Sequence, residues 1–201
     1  MISAIILAAG ESKRMGQSKM LLPWGETTVL RHVINIFQSA EIQDILVITG
    51  GAREQIESVV AGMKGVQAIY NSAFASGEML GSIQCGLNAL MILPFPNSEM
   101  ETAALIGLGD QPQIQERSVR LICEAFLKHE SKIVVPSYRM RRGHPWLVAR
   151  PLWEELLMMK SPKSPRDFLN AHATEIEYVD LDTPTVVEDL DTPEDYLKFK
   201  P

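Results

Sequence analysis

A loop rich in glycine and basic residues follows the first apolar segment of the chain. Leu7-Ala8-Ala9-Gly10 ends that segment, and the loop continues through Gly16 to Lys19. Gly10 and Gly16 would let the main chain approach a phosphate closely, and backbone N–H groups that follow a strand bind anions well. Arg14 and Lys19 add positive charge for oxygens that gain negative charge in phosphoryl transfer. The pattern indicates an anion site; a glycine-rich turn that only allows a helix to pack is the structural alternative.

An aspartate, Asp110, follows a second apolar run that contains two glycines. If both apolar runs are parallel strands, Asp110 and the first loop lie at the same edge of the sheet. A carboxylate that faces phosphates is repelled unless a divalent cation lies between them, and Mg²⁺ typically takes one or two carboxylates plus phosphate oxygens. We therefore predict Asp110 as a magnesium ligand, with capping of the following helix as the alternative role.

The elements that position these residues alternate between short β-branched runs and amphipathic stretches. This alternation is typical of parallel strands joined by crossover helices. The predicted strands are residues 2–7, 44–49, 66–70, 102–107 and 132–136, and the predicted helices are residues 27–40, 53–61, 78–90 and 115–128. The predicted fold class is therefore α/β, with a three-layer, doubly wound and mostly parallel sheet.

The pattern changes in the last third of the chain. A basic loop at residues 137–143 precedes a short strand at 145–148 and a helix at 151–158. Residues 175–180 and 185–190 are predicted as strands, and residues 193–199 as a helix that begins with proline. We expect residues 137–165 to form an insertion that faces the substrate rather than another repeat of the sheet.

Two familiar kinds of site motif are missing from the sequence. The first loop matches neither G-x-G-x-x-G nor G-x-x-x-x-G-K-[ST], because Gly16 is followed by Gln17-Ser18-Lys19. Cys85 and Cys123 lack the close spacing of a zinc or redox site, and we predict ordinary buried thiols in a reducing compartment.

Length, charge and the N-terminal sequence exclude further classes. With 201 residues, 46% of them apolar, the chain can bury one substantial core, so residues 1–201 are predicted as one domain. A formal net charge of −6 argues against a general affinity for nucleic acid or acidic membranes. The apolar N-terminus lacks a basic leader, and no apolar run approaches the roughly 20 residues that span a bilayer. We predict a cytoplasmic protein without nucleic-acid or membrane partners.

The complete string from Leu7 to Pro23 resembles the signature L-A-A-G-x-S-x-R-M-G-x-x-K-x-L-L-P of the MobA-like nucleotidyltransferases, especially their molybdenum cofactor cytidylyltransferase branch. The resemblance implies a Rossmann-like fold of the nucleotide-diphospho-sugar transferase type. It implies that Arg14 and Lys19 are catalytic and contact the phosphates. The residues implied in nucleotide binding by this loop are Leu7, Ala8, Ala9, Gly10 and Gly16. Leu-Ala-Ala-Gly, rather than Leu-Ala-Gly-Gly, favours CTP as the nucleotide.

Two further segments resemble the metal-binding motifs of this family. Gly109-Asp110-Gln111-Pro112 matches G-D-Q-P, which implies Asp110 as a Mg²⁺ ligand. The segment from Asp189 to Asp195 is similar to the family's D-[IL]-D-T-P-E-D, which supplies a second carboxylate. Asp189 is the first choice because the predicted strand presents it beside Asp110. Asp191 is the alternative, with an N-cap before Pro193 as its other role.

The remaining resemblances concern the base and the acceptor. The stretch around Gly77 and Ser82 is similar to one that contacts the nucleotide, although Glu78 is an insertion relative to that pattern. The segment Arg139-Met140-Arg141-Arg142-Gly143-His144-Pro145 resembles an R-x-G-H-P motif that shapes the acceptor pocket. The relatives then carry G-D-x-G-A-R, and Arg166 would replace its last position here. The acceptor residues implied by the resemblance are Arg142, Gly143, His144 and Arg166.

The implied reaction is transfer of CMP from CTP to a phosphorylated acceptor, molybdopterin, with Mg²⁺ as cofactor and pyrophosphate as product. A molybdoenzyme or a chaperone would then receive the modified cofactor. One alternative is the same type of transfer from CTP or another NTP to a sugar phosphate, a polyol phosphate or phosphocholine. The other is a nucleotide-binding or cofactor-binding module without catalysis, which needs no metal pair.

Overall fold

The computed structural model describes residues 1–10, 12, 15–76, 78–92 and 102–201. Its strands are β1 (Ile2–Ala8), β2 (Pro23–Trp24), β3 (Thr27–Thr28), β4 (Ile45–Thr49), β5 (Val66–Tyr70), β6 (Ala103–Leu108), β7 (Ile133–Tyr138), β8 (Arg141–Arg142), β9 (Trp146–Ala149) and β10 (Ile176–Asp180). Its helices are α1 (Val29–Ser39), α2 (Arg53–Val60), α3 (Met79–Ile92), α4 (Glu116–His129), α5 (Trp153–Met158), α6 (Pro165–Ala171) and α7 (Pro193–Phe199).

Within the described residues, eight strands form one mixed sheet with the order β10-β7-β9-β6-β1-β4-β5, and β8 pairs with β7. The pairs β6–β1, β1–β4, β4–β5 and β7–β10 are parallel, whereas β9 runs antiparallel between β6 and β7. The loop after β1 and the loop after β6 are therefore neighbours at the carboxyl edge of the sheet. Sites for phosphorylated ligands in α/β proteins form at this edge.

Both faces of the sheet are covered by helices. Along β1, Ile6 packs into one apolar cluster and its neighbour Ile5 into another, because successive side chains of a strand point to opposite faces. Helices α1, α2 and α4 supply the first cluster, and α3, α5 and α6 supply the second. This arrangement confirms the predicted three-layer, doubly wound and mostly parallel α/β fold.

The C-terminal third differs from the prediction in three places. Residues 185–190, predicted as a strand, instead contain a single 3₁₀ turn at Pro184–Val186, so that prediction was wrong. The basic loop at 137–143 is largely a hairpin of β7 and β8. Helix α6 was not predicted, although Ser164 and Asp167 form a capping box around its first turn, with proline at the start. Among the residues that the structure describes, no helix is long and apolar enough to cross a membrane.

Candidate functional site

The loops that follow β1 and β6 are in direct contact. The backbone N–H of Gly109 donates a hydrogen bond to the carbonyl oxygen of Leu7 at 2.9 Å. A Cβ atom at position 109 would lie 3.0 Å from the sulfur of Met20 and 3.2 Å from that carbonyl oxygen. Glycine at this position therefore allows the Asp110 loop to pack against the end of β1, beside the loop that carries Lys19.

The first loop is held by contacts of its own. The hydroxyl oxygen of Ser12 accepts a hydrogen bond from the backbone N–H of Lys19 at 3.1 Å, and its carbonyl oxygen accepts one from Met15 at 2.9 Å. Gly16 adopts a φ of 67°, a left-handed conformation that glycine takes without strain. A short 3₁₀ helix, Lys19–Leu21, follows. These contacts fix the backbone from which the Lys19 side chain extends.

Lys19 lies between two of the predicted metal ligands. Its Nζ atom forms an ion pair with Oδ2 of Asp110 and lies 3.2 Å from Oδ1 of Asp191. Burial lowers the pKa of Lys19, but the attraction of Asp110, its hydrogen bond and the contact with Asp191 outweigh that effect and raise the pKa above its ordinary value. The side chains of Lys19 and Asp110 are each only 13% exposed, so the ammonium group stays charged in a partly water-excluded site.

The acidic C-terminal segment reaches this site through its backbone. The N–H of Leu190 donates a hydrogen bond to the carbonyl oxygen of Asp110 at 3.0 Å. The N-cap of α7 is Thr192, which forms a capping box with Asp195. Asp191 is therefore not the cap of this helix, and neither is Asp110 the cap of α4, which begins after Gln115.

Asp189 is more exposed than Asp110, yet it borders the same cleft. Partial loss of hydration raises the pKa of Asp189, and the nearby carboxylates of Asp110 and Asp191 raise it further, against the opposing effect of Lys19. Two neighbouring carboxylates and one ammonium group thus act on Asp189.

These groups line a cavity of about 540 Å³, within the range of small-molecule sites. The predicted site residues that line it are Leu7, Ala9, Gly10, Lys19, Ser82, Asp110, Asp189 and Asp191. Ala8 lies in the core beneath the loop, and Gly16 is exposed. A Cβ atom at Gly10 would meet no atom within 4 Å, so the main chain there borders open space. Arg14 and Gly77 lie outside the described residues.

The predicted acceptor residues do not line this cavity. The guanidinium group of Arg142 donates hydrogen bonds to the hydroxyl oxygen of Tyr178 at 2.9 Å and to Oδ1 of Asn170 at 2.7 Å. Arg166 is exposed on the first turn of α6. Their role in acceptor binding stays a prediction.

Gly143 and His144 contact the acidic segment instead. The backbone N–H of His144 donates to the carbonyl oxygen of Val186 at 2.8 Å, and a Cβ atom at Gly143 would lie 2.3 Å from the same oxygen. Burial lowers the pKa of His144, although the Ile106 carbonyl and Asp110 act in the opposite direction. The lowered pKa favours a neutral imidazole ring. These two residues hold the backbone that leads to Asp189 and Asp191.

Several residues that line the cavity were not predicted as site residues: Ser12, Met15, Met20, Phe74, Glu78, Met79 and Leu108. Phe74 lies in the segment after β5, where an aromatic residue among small residues was the available signal. A Cβ atom at Gly50 would lie 2.4 Å from the carbonyl oxygen of Ala9 and 2.8 Å from Cβ of Phe74. Glycine at position 50 therefore lets the Phe74 loop pack against the end of β1.

A divalent cation fits the donor set at the acidic end of the cavity. The carboxylates of Asp110 and Asp191 both contact one positive charge, Nζ of Lys19, so they converge on a position that suits a cation. Among the described residues, no group of three or more His, Cys, Asp or Glu side chains could hold a metal ion. Mg²⁺ needs only one or two protein carboxylates when phosphate oxygens and water complete its shell. The donor set therefore fits a divalent cation whose remaining ligands are phosphate oxygens and water.

The fold is that of the nucleotide-diphospho-sugar transferase type, an α/β architecture of nucleotidyltransferases. Solved structures show the likeness. Rv0371c from Mycobacterium tuberculosis H37Rv superposes with a TM-score of 0.80 at 26% identity and covers 98% of this chain and 95% of its own. A nucleotidyl transferase from Methanothermobacter thermautotroptrophicus superposes with a TM-score of 0.78 at 21% identity. The superposition covers 100% of this chain and 96% of that protein. The second likeness concerns the fold alone.

Residues 4–176 match the MobA-like NTP transferase domain, and the chain belongs to that family. The molybdenum cofactor cytidylyltransferase of Escherichia coli K12 is 26% identical over 203 residues, which cover 99% of this chain and 95% of that protein. The resemblance found in the loop from Leu7 to Pro23 is thereby confirmed. Family membership supports an enzyme that transfers a nucleotidyl group from a nucleoside triphosphate.

Proposed function

We propose that this protein transfers CMP from CTP to molybdopterin and releases pyrophosphate. The observation that carries the proposal is the convergence of Lys19, Asp110 and Asp191 in the cavity into which the loop after β1 opens. The similarity to the E. coli molybdenum cofactor cytidylyltransferase over almost the whole of both chains supports the two substrates. The Leu-Ala-Ala-Gly sequence of the loop is a further argument for CTP.

The proposed chemistry is an in-line displacement at the α-phosphorus of CTP. An oxygen of the terminal phosphate of the acceptor forms a bond to that phosphorus, while the bond from the phosphorus to the oxygen that bridges to the β-phosphate breaks. Pyrophosphate leaves with the bonding electron pair. The attacking phosphate is already ionised near neutral pH, so no general base is required. A neutral His144 outside the cavity lining agrees with this mechanism.

The protein contributes position and charge. Lys19 keeps its charge because its pKa is raised, and it stabilises negative charge on the phosphates. Arg14 is proposed to act with it. Asp110, together with Asp189 or Asp191, would hold Mg²⁺, which supplies charge neutralisation at phosphate oxygens when it is bound. The contact of Asp191 with Lys19 favours Asp191 as the second ligand.

Pyrophosphate release from each of the four common NTPs tests this proposal, with metal-loaded molybdopterin, a sugar phosphate, a polyol phosphate and phosphocholine as acceptors. We expect release only with CTP, Mg²⁺ and molybdopterin. Release with a sugar phosphate alone would overturn the cofactor assignment and leave the transfer type intact. Absence of release with every pair, alongside tight nucleotide binding, would favour a binding module.

The variant Asp110→Ala tests the catalytic site. Turnover should fall by about 100-fold or more, since this change removes a proposed metal ligand and leaves Lys19 with one fewer partner. Asp182→Ala is the matched control, because Asp182 is 81% exposed and its ion pair with Arg117 is long, at 3.8 Å. Undiminished Mg²⁺-dependent turnover in Asp110→Ala would contradict the proposed site.

A further inference from the structure

Helices α6 and α7 begin with the same kind of sequence. Ser164-Pro165-Arg166-Asp167 opens α6, and Thr192-Pro193-Glu194-Asp195 opens α7. In both helices the side chain of the cap residue and that of the aspartate three positions later form a capping box. Such a box ordinarily stabilises only the start of its own helix. The two aspartates can therefore be compared by what else they contact.

Asp195 of α7 contacts one residue more than its helix requires. Its Oδ2 atom accepts hydrogen bonds from the backbone N–H of Thr192 at 2.9 Å and from the hydroxyl group of Thr192 at 2.8 Å. The same oxygen accepts one from the backbone N–H of Asp191 at 3.3 Å. In α6, the residue before the cap, Lys163, instead donates its backbone N–H to the carbonyl oxygen of Lys160 at 3.0 Å. The bond from Asp191 is therefore an addition to the capping box.

Asp191 lies between two fixed points of the backbone. On one side, the N–H of Leu190 donates a hydrogen bond to the carbonyl oxygen of Asp110 at 3.0 Å, and the Leu190 side chain is fully buried. On the other side, Asp195 accepts the N–H of Asp191 itself. The Asp191 side chain is 45% exposed, so packing does little to hold its carboxylate, which lies 3.2 Å from Nζ of Lys19. Apart from that contact, the backbone that Asp195 fixes sets the direction of the carboxylate.

Helix α7, which carries Asp195, is itself anchored. The hydroxyl group of Tyr196 donates a hydrogen bond to the carbonyl oxygen of Pro23 in β2 at 2.7 Å, and the ring of Tyr196 lies 6.5 Å from that of Trp24. Tyr196 and Phe199 pack against a buried apolar cluster that includes Trp24. The acceptor oxygen of Asp195 therefore has a defined position relative to β2 and the loop that precedes it.

We propose that Asp195 is a positioning residue that fixes the carboxylate of Asp191 as a ligand of the divalent cation. Asp195 does not line the cavity, so it acts through Asp191 and touches neither the cation nor a substrate. Removal of a group that orients a metal ligand typically weakens metal binding by about 10- to 100-fold. The inference rests on the proposed function, and it assigns Asp191 rather than Asp189 as the second ligand beside Asp110.

The negative charge of Asp195 offers a second explanation for an effect on cation binding. A nearby carboxylate attracts a cation whether or not it accepts hydrogen bonds from the backbone. Asp195→Asn separates the two explanations, because the amide oxygen can accept the same N–H groups although the charge is removed.

Binding of Mn²⁺ to the full chain in the presence of CTP, measured by electron paramagnetic resonance, tests the proposal. Asp195→Ala should weaken Mn²⁺ binding by about tenfold, whereas Asp195→Asn should stay within about twofold of wild type. Equal losses in the two variants would show that the charge matters rather than the orientation, and the positioning role would be overturned.

A background that lacks Asp191 shows whether Asp195 acts through this residue. Asp191→Ala should weaken Mn²⁺ binding by itself. Addition of Asp195→Ala should then cause no further loss, since the carboxylate that Asp195 orients is already absent. If the two fold-losses multiply instead, the two residues act independently and the proposal is wrong.

Asp167→Ala is the matched control, because it removes the same kind of capping box from α6. Urea unfolding should show similar shifts of the midpoint for Asp167→Ala and Asp195→Ala, but Asp167→Ala should bind Mn²⁺ as wild type does. Equal weakening of Mn²⁺ binding in Asp167→Ala would trace the effect to a general loss of stability and refute the role of Asp195. Circular dichroism of each variant shows that the comparison is made between folded proteins.

The outcomes for Asp195 and for the proposed function are distinguishable. Unchanged Mn²⁺ affinity in Asp195→Ala overturns the role of Asp195 and leaves the proposed function standing. Failure of wild type to bind Mn²⁺ together with CTP overturns both.

Discussion

The ammonium group of Lys19 contacts the carboxylate of Asp110 and lies 3.2 Å from that of Asp191, so one positive charge is shared by two carboxylates at the carboxyl edge of the sheet. The same carboxylates are the ones proposed to hold a divalent cation. A cation bound there would compete with Lys19 for them, and a nucleotide would relieve the competition because its phosphates attract both positive charges.

The variant Lys19→Met tests this competition. Without nucleotide, we expect its affinity for Mn²⁺ to rise by about tenfold, because a competing positive charge has been removed from Asp110 and Asp191. Its rate of pyrophosphate release should fall by about 100-fold or more, since the charge that stabilises the phosphates is lost. Electron paramagnetic resonance of Mn²⁺ measures the first effect. Lys64→Met removes an exposed lysine elsewhere as the control, and weaker Mn²⁺ binding in Lys19→Met would contradict the expected competition.

The contact between Gly143 and Val186 leads to a second prediction. A Cβ atom at position 143 would lie 2.3 Å from the carbonyl oxygen of Val186, so Gly143→Ala must displace the segment that carries Asp189 and Asp191. We expect a loss of about 1–3 kcal/mol in the free energy of unfolding, together with weaker Mn²⁺ binding in the presence of CTP. Urea unfolding and Mn²⁺ titration measure the two effects.

Gly81→Ala provides the control for this substitution. Gly81 lies in α3, and a Cβ atom there would meet no atom within 4 Å. Alanine should stabilise the helix by about 0.5–1 kcal/mol. If Gly143→Ala kept both its stability and its metal affinity, a positioning role for Gly143 would be untenable.

The fold was predictable because apolar periodicity and burial coincide along most of the chain. The strand at Val66–Tyr70 and the helix at Pro193–Phe199 have the bounds that were predicted. The segment around Val186 and Leu190 shows where this reasoning fails. Both side chains are buried, as in a strand, but their backbone groups bond to His144 and Asp110 rather than to a neighbouring strand. An apolar pattern reports burial and does not identify such distant partners.

The candidate site was likewise predictable only in part. The meeting of Lys19 and Asp110 followed from the rule that parallel strands end at one edge, which needs no side-chain detail. The hydrogen-bond partners of Arg142 could not be predicted from the sequence. Asn170 belongs to the unpredicted helix α6, and Tyr178 lies on a strand at the far edge of the sheet. Residue type alone could not show that the guanidinium group of Arg142 contacts α6.

The two cysteines should differ in reactivity. The pKa of Cys123 is raised to about 12, mainly by burial and to a smaller extent by Glu124. Very little of this thiol is then ionised at pH 8, and the thiolate is the reactive form. Cys85 is half-buried, and burial also raises its pKa. Iodoacetamide at pH 8 followed by peptide mass spectrometry should show modification of Cys85 before Cys123, which reacts readily only in urea. Equal rates in the native protein would contradict the packing of α4.

His172 should make stability depend on pH. Its imidazole contacts Glu155 of α5 at 3.0 Å and Glu175 at 2.9 Å, and its ring lies 4.7 Å from that of Phe168 in α6. Lys132 lies 3.2 Å from Glu175. The hydrogen bond with Glu175 is the main cause that raises the pKa of His172. Partial desolvation lowers this pKa, and the contact with Glu155 raises it further. The folded protein therefore binds this proton more tightly than the unfolded chain does.

The stabilisation from His172 is fully present below its ordinary pKa of about 6.5 and is lost as pH rises through the raised folded value. The pKa of Glu175 is lowered mainly by the hydrogen bond from His172 and further by Lys132. Glu175 therefore becomes protonated, and the ion pair is lost from the glutamate, only in more acidic solution. We expect the difference in unfolding free energy between wild type and His172→Gln to be largest near pH 6 and to shrink toward pH 9. Urea titrations across this range measure it. His129→Gln, an exposed histidine at the end of α4, controls for removal of an imidazole, and a difference that grows with pH would refute the assigned ion pairs.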